Sequence, residues 1–220
     1  MLTMSAVYLA NPTPSNPMHD FIFLSYPVGK SPEGYTLYSK GINDAKILVF
    51  YTIFFTFTRE FLMQQVLRPL SQKVLPPATR GNKGTVDRFM EQGYTAMYFG
   101  VMGPFGLYVM RTTPGLWYFE TASFWSTYPN KIHTGLFKAY YLLQWSYWLQ
   151  QAIVLLMLLE KPRKDFKELV IHHVVTLILV FNGWKFHFTY IGLAVFITHD
   201  VSDFFLAVSI CFPVAWRTCN

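Results

Sequence analysis

The sequence contains long apolar runs without charge, and the clearest is AYYLLQWSYWLQQAIVLLMLL, residues Ala139–Leu159. This run has 21 residues and no charged side chain, and about 20 such residues in a helix cross the hydrocarbon core of a bilayer. A segment in lipid must satisfy its own backbone hydrogen bonds, which favours helices and excludes open sheet edges. The pattern predicts an all-α fold, a polytopic integral membrane helix bundle.

The composition agrees with a membrane protein. The 220 residues are 52% hydrophobic and 14% charged, whereas soluble domains average about 25% charged residues. We predict about four to six membrane helices, because the charges cluster between apolar runs of roughly membrane-spanning length. The predicted spans are Ala45–Leu67, Tyr94–Met110, Ala139–Leu159, a fourth from about Leu169, and a last one in YIGLAVFITHDVSDFFLAVSI.

The segments between the spans divide the chain further. We expect an irregular polar or interfacial segment at 1–44, a membrane helix and basic loop at 45–81, the motif-bearing part at 82–210 and a divergent tail at 211–220. Proline and glycine in RPLSQKVLPPATRGNKGTVDR (68–88) predict a loop. The basic stretch EKPRKDFKE (160–168) is the best candidate for a cytosolic loop. We expect Trp145, Tyr147 and Trp148 to form an aromatic belt at one end of the third span.

Charge and cysteine usage narrow the classes of function. The net charge of +6 suits loops that face acidic lipid headgroups or an anionic substrate. Nucleic acid is a poor partner, because the basic residues lie between apolar spans and do not form one stripe. The two cysteines, Cys211 and Cys219, form neither a disulfide framework nor a zinc-site pattern.

Two pairs of ionisable residues stand out inside apolar segments, where such residues are costly and usually functional. His172 and His173 open the fourth span, and Asp200 and Asp203 lie at i and i+3 on one face of the last span. If the chain reverses around residues 182–189, both pairs reach a similar depth near the cytosolic face, at about 1.5 Å rise per residue. A neutral imidazole oriented by a carboxylate can act as a general base or as an acyl-accepting nucleophile.

Other interpretations of these four residues stay open. They could be structural, or His172, His173 and the two aspartates could ligate one metal ion. Membrane di-iron enzymes need about eight histidines in clustered boxes, and this chain has six. His187 and His199 are interpreted as packing or pathway residues, and His19 and His133 lie outside the apolar runs.

The segment LEKPRKDFKELVIHHVVTLILVFNGWKFHFTYIGLAVFITHDVSDFFLAVS resembles the signature region of the ceramide synthases, in the longevity-assurance branch of the TLC-domain membrane proteins. FFTFTREFLMQQVLRPL and GPFGLYVMRTTPGLWYF also resemble that family, its fungal branch most closely. The resemblance implies transfer of a fatty acyl group from acyl-CoA to the amine of a sphingoid long-chain base in the endoplasmic reticulum membrane. It implies that the active-site residues are His172, His173, Asp200 and Asp203.

The same resemblance implies no cofactor beyond acyl-CoA as co-substrate, contact with membrane lipids, and a small accessory membrane subunit. Which histidine serves as base or nucleophile is left open. Because members of the family have further spans before and after the matching region, we expect this chain to be a fragment, incomplete at both ends. The alternatives are a non-enzymatic TLC-domain protein that binds or organises lipid, and an inactive fragment.

Overall fold

The protein is helical with one small sheet. The computed structural model describes residues 8–9, 11–13, 16, 18–158 and 166–216, with side chains as far as Cys211. The helices are α1 (His19–Ile22), α2 (Asp44–Leu62), a π-helical turn (Met63–Leu67), α3 (Arg68–Val74), α4 (Pro77–Arg80), α5 (Lys83–Thr112), α6 (Ser123–Ser126), α7 (Gly135–Leu156), α8 (Phe166–Lys185) and α9 (Thr189–Trp216). The strands are β1 (Pro27–Lys30), β2 (Thr36–Tyr38) and β3 (His133–Thr134).

The chain divides into two compact units. Unit 1 comprises Met1–Thr56 and Val109–Ala194, and unit 2 comprises Phe57–Tyr108 and Val195–Asn220. The division therefore falls inside α2, α5 and α9.

Unit 1 is organised around α7. The sheet has the antiparallel order β1-β2-β3, and β3 leads directly into α7. Thr134 caps this helix, because its hydroxyl accepts a hydrogen bond from the amide of Phe137. The sheet and the cap together fix where α7 begins.

Helix α7 packs on both α2 and α8 within unit 1. The α2 contact is parallel, since Lys138 pairs with Asp44 near both N-termini and Thr52 Oγ1 donates to the Ser146 carbonyl two turns later. A helix with buried residues on every side forms the interior of a bundle. This environment reaches even polar side chains such as Gln144 and Gln150, which are 0% exposed.

Unit 2 holds close packing between α5 and the C-terminal part of α9. A methyl group on Gly100 would lie 3.1 Å from the Phe204 ring, and one on Gly103 would lie 3.7 Å from Asp200 Cβ. Glycine at position 100 therefore allows the two helices to approach at this point.

The all-α prediction is confirmed, with membrane-spanning length in three helices of the described residues. These are Asp44–Val74, Phe166–Lys185 and Thr189–Cys211. Helix α5 contains the second predicted span and α7 contains most of the third, as far as Leu156; their crossing of the membrane stays a prediction. Residues 160–165 of the predicted basic loop and residues 217–220 of the predicted tail lie outside the described residues, whereas 166–168 of that loop belong to α8.

The loop predicted at 68–88 is wrong over most of its length. Residues Arg68–Val74 continue the first long helix, and Pro69 is tolerated near the start of α3. Asn82 then starts α5, because its side-chain oxygen accepts a hydrogen bond from the amide of Thr85. Proline and glycine marked the ends of short helices here, not one irregular loop.

The predicted aromatic belt is also wrong for two of its three members. Tyr147 is 1% exposed and Trp148 is 6% exposed, both inside unit 1. The ring of Tyr147 meets Phe55 of α2 edge to face. These rings therefore belong to the core.

Candidate functional site

The two histidines lie in the second turn of α8. Their ring centroids are 5.7 Å apart, and the ring planes make an angle of 82°. The ring of His172 is exposed and that of His173 is half-buried. The divergence follows from helix geometry, since adjacent residues point about 100° apart.

His173 has a defined hydrogen bond to its own helix. Its Nδ1 lies 3.0 Å from the carbonyl oxygen of Leu169. Because a carbonyl can only accept, Nδ1 is the donor, and in the neutral ring Nε2 carries the lone pair. A histidine held in this tautomer can take a proton or attack a carbonyl carbon through Nε2.

Trp148 of α7 lies against both imidazoles. Its ring centroid is 5.9 Å from that of His172 and 5.8 Å from that of His173, with interplanar angles of 68° and 66°. The sequence prediction missed this contact, because a tryptophan inside an apolar run carries no signal of what it touches. We call Trp148, His172 and His173 the histidine end of unit 1.

The two aspartates lie on α9, in unit 2. Asp200 is fully buried, close to Gly103 of α5, and Asp203 one turn later is half-buried. The structure confirms that both are helical at i and i+3, which places them on one face. The histidines belong to unit 1, so their convergence with the aspartates stays a prediction.

The opposite end of α8 carries a second set of ionisable residues, also in unit 1. Lys40 Nζ donates to the carbonyl of Trp184 at 3.1 Å and lies 3.1 Å from His187 Nδ1. Trp184 O is among the last carbonyls of α8, which lack helical partners and attract positive charge. Burial lowers the pKa of Lys40 to about 7, and Asp44 offsets part of this effect.

A buried ion pair stands beside Lys40. Lys138 is 0% exposed and its Nζ contacts Asp44 Oδ1 at 2.6 Å. The same ammonium donates to the carbonyls of Ser25 and Ser39, and Asp44 Oδ2 accepts from the amide of Gly41. The pair is therefore well satisfied, as a buried pair must be.

His133 completes this second set. Its ring stacks on Phe137, and Nε2 lies 3.4 Å from the hydroxyl of Thr189. Burial lowers the pKa of His133 to about 3, with further lowering by nearby Lys40 and Lys138, so the ring is neutral at physiological pH. We call Lys40, Asp44, His133, Lys138 and His187 the lysine end of unit 1.

The interpretation of His187 and His199 as packing or pathway residues stays a prediction. His187 lies at the other end of α8 from His172, in contact with Lys40. Burial and the neighbouring Lys40 and Lys131 lower its pKa. His199 is exposed, and its Nδ1 lies 2.8 Å from the carbonyl of Val195 in its own helix.

A metal site would require several ligating side chains close together. In the part of the chain that the structure describes, no three His, Cys, Asp or Glu side chains lie close enough to hold a metal ion. The expectation that the protein needs no cofactor stays a prediction.

Comparisons with known proteins identify relatives. The TLC domain matches residues 88–218. The chain is 52% identical over 193 residues to sphingosine N-acyltransferase lac1 of Schizosaccharomyces pombe, covering 86% of this chain and 48% of that protein. It is 50% identical over 206 residues to ceramide synthase LAG1 of Saccharomyces cerevisiae, covering 93% and 48%.

A third relative is also similar over most of this chain. The chain is 45% identical over 212 residues to the sphingosine N-acyltransferase-like protein FUM17 of Gibberella moniliformis, covering 94% of this chain and 54% of that protein. The chain thus spans about half the length of these curated relatives. The domain match covers more than half of the 220 residues, and on this basis the chain belongs to the TLC-domain family.

Proposed function

We propose that the protein containing this chain is a ceramide synthase, which transfers a fatty acyl group from acyl-CoA to the amine of a sphingoid base. The observation that carries the proposal is the 45–52% identity, over 86–94% of this chain, to proteins named sphingosine N-acyltransferase or its like. The bond that breaks is the thioester C–S bond, and the bond that forms is the amide C–N bond. Coenzyme A leaves as the thiol.

The histidine end supplies groups suited to this chemistry. A sphingoid amine is an ammonium ion at neutral pH and must lose a proton before it attacks, which requires a base. His173 has a fixed tautomer with its lone pair on Nε2. The exposed ring of His172 is open to a bulky thioester. In this proposal either imidazole accepts the proton or the acyl group, and the proton finally passes to the thiolate of coenzyme A.

The two aspartates complete the proposed site. The helices α8 and α9 are joined by a turn of only three residues, 186–188. His172 precedes the last residue of α8 by 13 positions (185 − 172), and Asp200 follows the first residue of α9 by 11 (200 − 189). Because these lengths are nearly equal at about 1.5 Å per residue, we propose that the two pairs share a depth. A carboxylate there would orient an imidazole and stabilise the imidazolium.

The location and partners follow from the substrates. We propose that the protein resides in the endoplasmic reticulum membrane, with the histidine end towards the cytosol, where acyl-CoA is available. The acyl chains would lie in lipid while the reacting groups meet at polar depth. A small accessory membrane subunit is part of the proposal.

The test is ceramide formation from acyl-CoA and dihydrosphingosine in microsomes of cells that lack their own ceramide synthase and express the full-length product of the gene. We expect His172→Ala and His173→Ala to lower the rate by about 10²–10⁴-fold, the usual range for a lost acid–base group. Asp200→Asn should act in the same direction.

The matched control is His199→Ala, since His199 adjoins Asp200 but is exposed and contacts its own helix. It should leave the rate unchanged. The proposal fails if the unaltered protein forms no ceramide above background, or if the histidine variants keep its rate. Retained binding of sphingoid base without turnover would indicate a lipid-binding protein.

A further inference from the structure

Trp148 has ring contacts to both His172 and His173. Adjacent side chains on a helix point in different directions. Without a shared neighbour, the rotamer of one imidazole would not depend on that of the other. One indole touches both rings at nearly equal centroid distances, 5.9 and 5.8 Å. The indole therefore lies between the two imidazoles.

The indole itself is held in place. Its side chain is 6% exposed, and the ring meets Tyr147 at 6.1 Å with an interplanar angle of 79°. Tyr147 is 1% exposed and packs on Phe55 of α2. The core packs against one side of the indole, and the exposed ring of His172 and the half-buried ring of His173 contact the other side. The indole therefore restricts the rotation of both imidazoles.

We propose that Trp148 is a positioning residue, which holds the imidazoles of His172 and His173 in the orientations that acyl transfer requires. The expected effect on acyl transfer rests on the proposed function, whereas the contact of Trp148 with both histidines does not depend on it. Trp148 fixes the rotamers of both rings, and the Leu169 carbonyl fixes the tautomer of one. Loss of either ring orientation displaces the reacting nitrogen, and a displacement of about 1 Å can cost about 10²-fold in rate.

The chain offers a matched control in Trp145. It lies one turn earlier on α7 and contacts Phe181 and Trp184 of the same helix α8. Trp145→Leu removes an equal ring from the same interface without touching the histidine end. Trp148→Phe keeps an aromatic ring of smaller size and should fold even if Trp148→Leu does not.

The first readout does not depend on activity. The full-length protein is treated with diethyl pyrocarbonate between pH 5.5 and 8, with the modification rate of each histidine followed by mass spectrometry. We expect Trp148→Leu to change the rates at His172 and His173 several-fold, with His199 unchanged and Trp148→Phe intermediate. Trp145→Leu should match the unaltered protein. Unchanged rates at both histidines in the folded Trp148 variants overturn the proposal.

The second readout is ceramide formation at equal amounts of folded protein. We expect Trp148→Leu to lower kcat by about 10²-fold with little change in KM for acyl-CoA, and Trp148→Phe to recover part of the loss. Altered modification with an unchanged kcat, or equal losses in Trp145→Leu and Trp148→Leu, would reduce Trp148 to a packing role. If the unaltered protein forms no ceramide, the proposed function fails, and the modification rates still decide whether the indole orients the two rings.

Discussion

The two ends of unit 1 treat ionisable side chains in opposite ways. At the lysine end, Lys138 is 0% exposed and its ammonium contacts one carboxylate and two carbonyls, all of which are acceptors. At the histidine end, His172 is exposed and His173 is half-buried, beside a buried tryptophan. Satisfied buried charges fix a structure, whereas the exposed imidazole of His172 is accessible to a reactant.

Because of this contrast, we interpret the lysine end as structural and the histidine end as the candidate site. The ammonium of Lys40 binds the C-terminal carbonyl of Trp184, so it ties the β2–α2 connection to the end of α8. The histidines lie about three turns earlier on the same helix. The lysine end therefore anchors the helix that presents His172 and His173.

The largest expected effect is at the buried pair. Lys138→Met leaves Asp44 charged and buried without its partner, which typically costs about 3–5 kcal/mol of the free energy of unfolding. Chemical or thermal unfolding of the purified protein in detergent measures it. His172→Met on the exposed face of α8 should stay within about 0.5 kcal/mol.

The double variant Lys138→Met with Asp44→Leu sharpens this result. Removing both charges should recover much of the loss, because no unpaired charge stays buried. Equal destabilisation by Lys138→Met and His172→Met would break the contrast between the two ends.

A smaller effect is expected where α7 and α8 approach closely, between the two ends. A methyl group on Gly183 would lie 2.8 Å from the hydroxyl of Tyr141, which is buried and donates to the Val180 carbonyl. Overpacking costs about 1–3 kcal/mol, against about 0.8–1 kcal/mol gained in helix propensity. Gly183→Ala should therefore lower the free energy of unfolding by up to about 2 kcal/mol.

A double-mutant cycle with Tyr141→Phe checks the cause. The phenylalanine lacks the clashing oxygen, so the two changes together should cost less than their sum. Gly29→Ala on the exposed strand β1, with no atom within 4 Å of the added methyl, is the control. Additive losses would place the strain elsewhere.

The last expected effect is a dependence of stability on pH. The pKa of Lys40 is about 7 in the folded protein, lowered mainly by burial, and near 10.5 when the chain is unfolded. Between these values the unfolded chain binds more protons, so stability rises as pH rises from about 7 towards 10.5. Lys40→Met should remove this part of the rise.

The measurement is the Tm of the unaltered protein and of Lys40→Met at pH 7, 8 and 9, with Lys30→Met on the exposed strand β1 as the control. The difference in Tm between the unaltered protein and Lys40→Met should grow with pH. A difference independent of pH would mean that Lys40 stays charged in the folded state, and that this end tolerates a buried ammonium.

The sequence alone predicted the helical membrane class and the helices that carry the four motif residues. Apolar length and composition report directly on lipid burial, and the His172–His173 and Asp200–Asp203 pairs are visible as ionisable residues in apolar runs. The turn predicted at 182–189 is confirmed for residues 186–188, between the end of α8 at Lys185 and the start of α9 at Thr189. These are properties of short segments, so neighbouring residues suffice to determine them.

Tertiary structure decided which side chains meet. Lys40 and His187 are 147 residues apart in the chain, and Lys138 and Ser25 are 113 apart, so no local pattern connects them. Tryptophan is a typical residue of the aromatic belt at a membrane interface, so the sequence predicts that position for Trp148. The packing of α7 against α8 instead places its ring against the two histidines. Local periodicity determines where helices form, but the contacts between helices depend on the shapes of both surfaces.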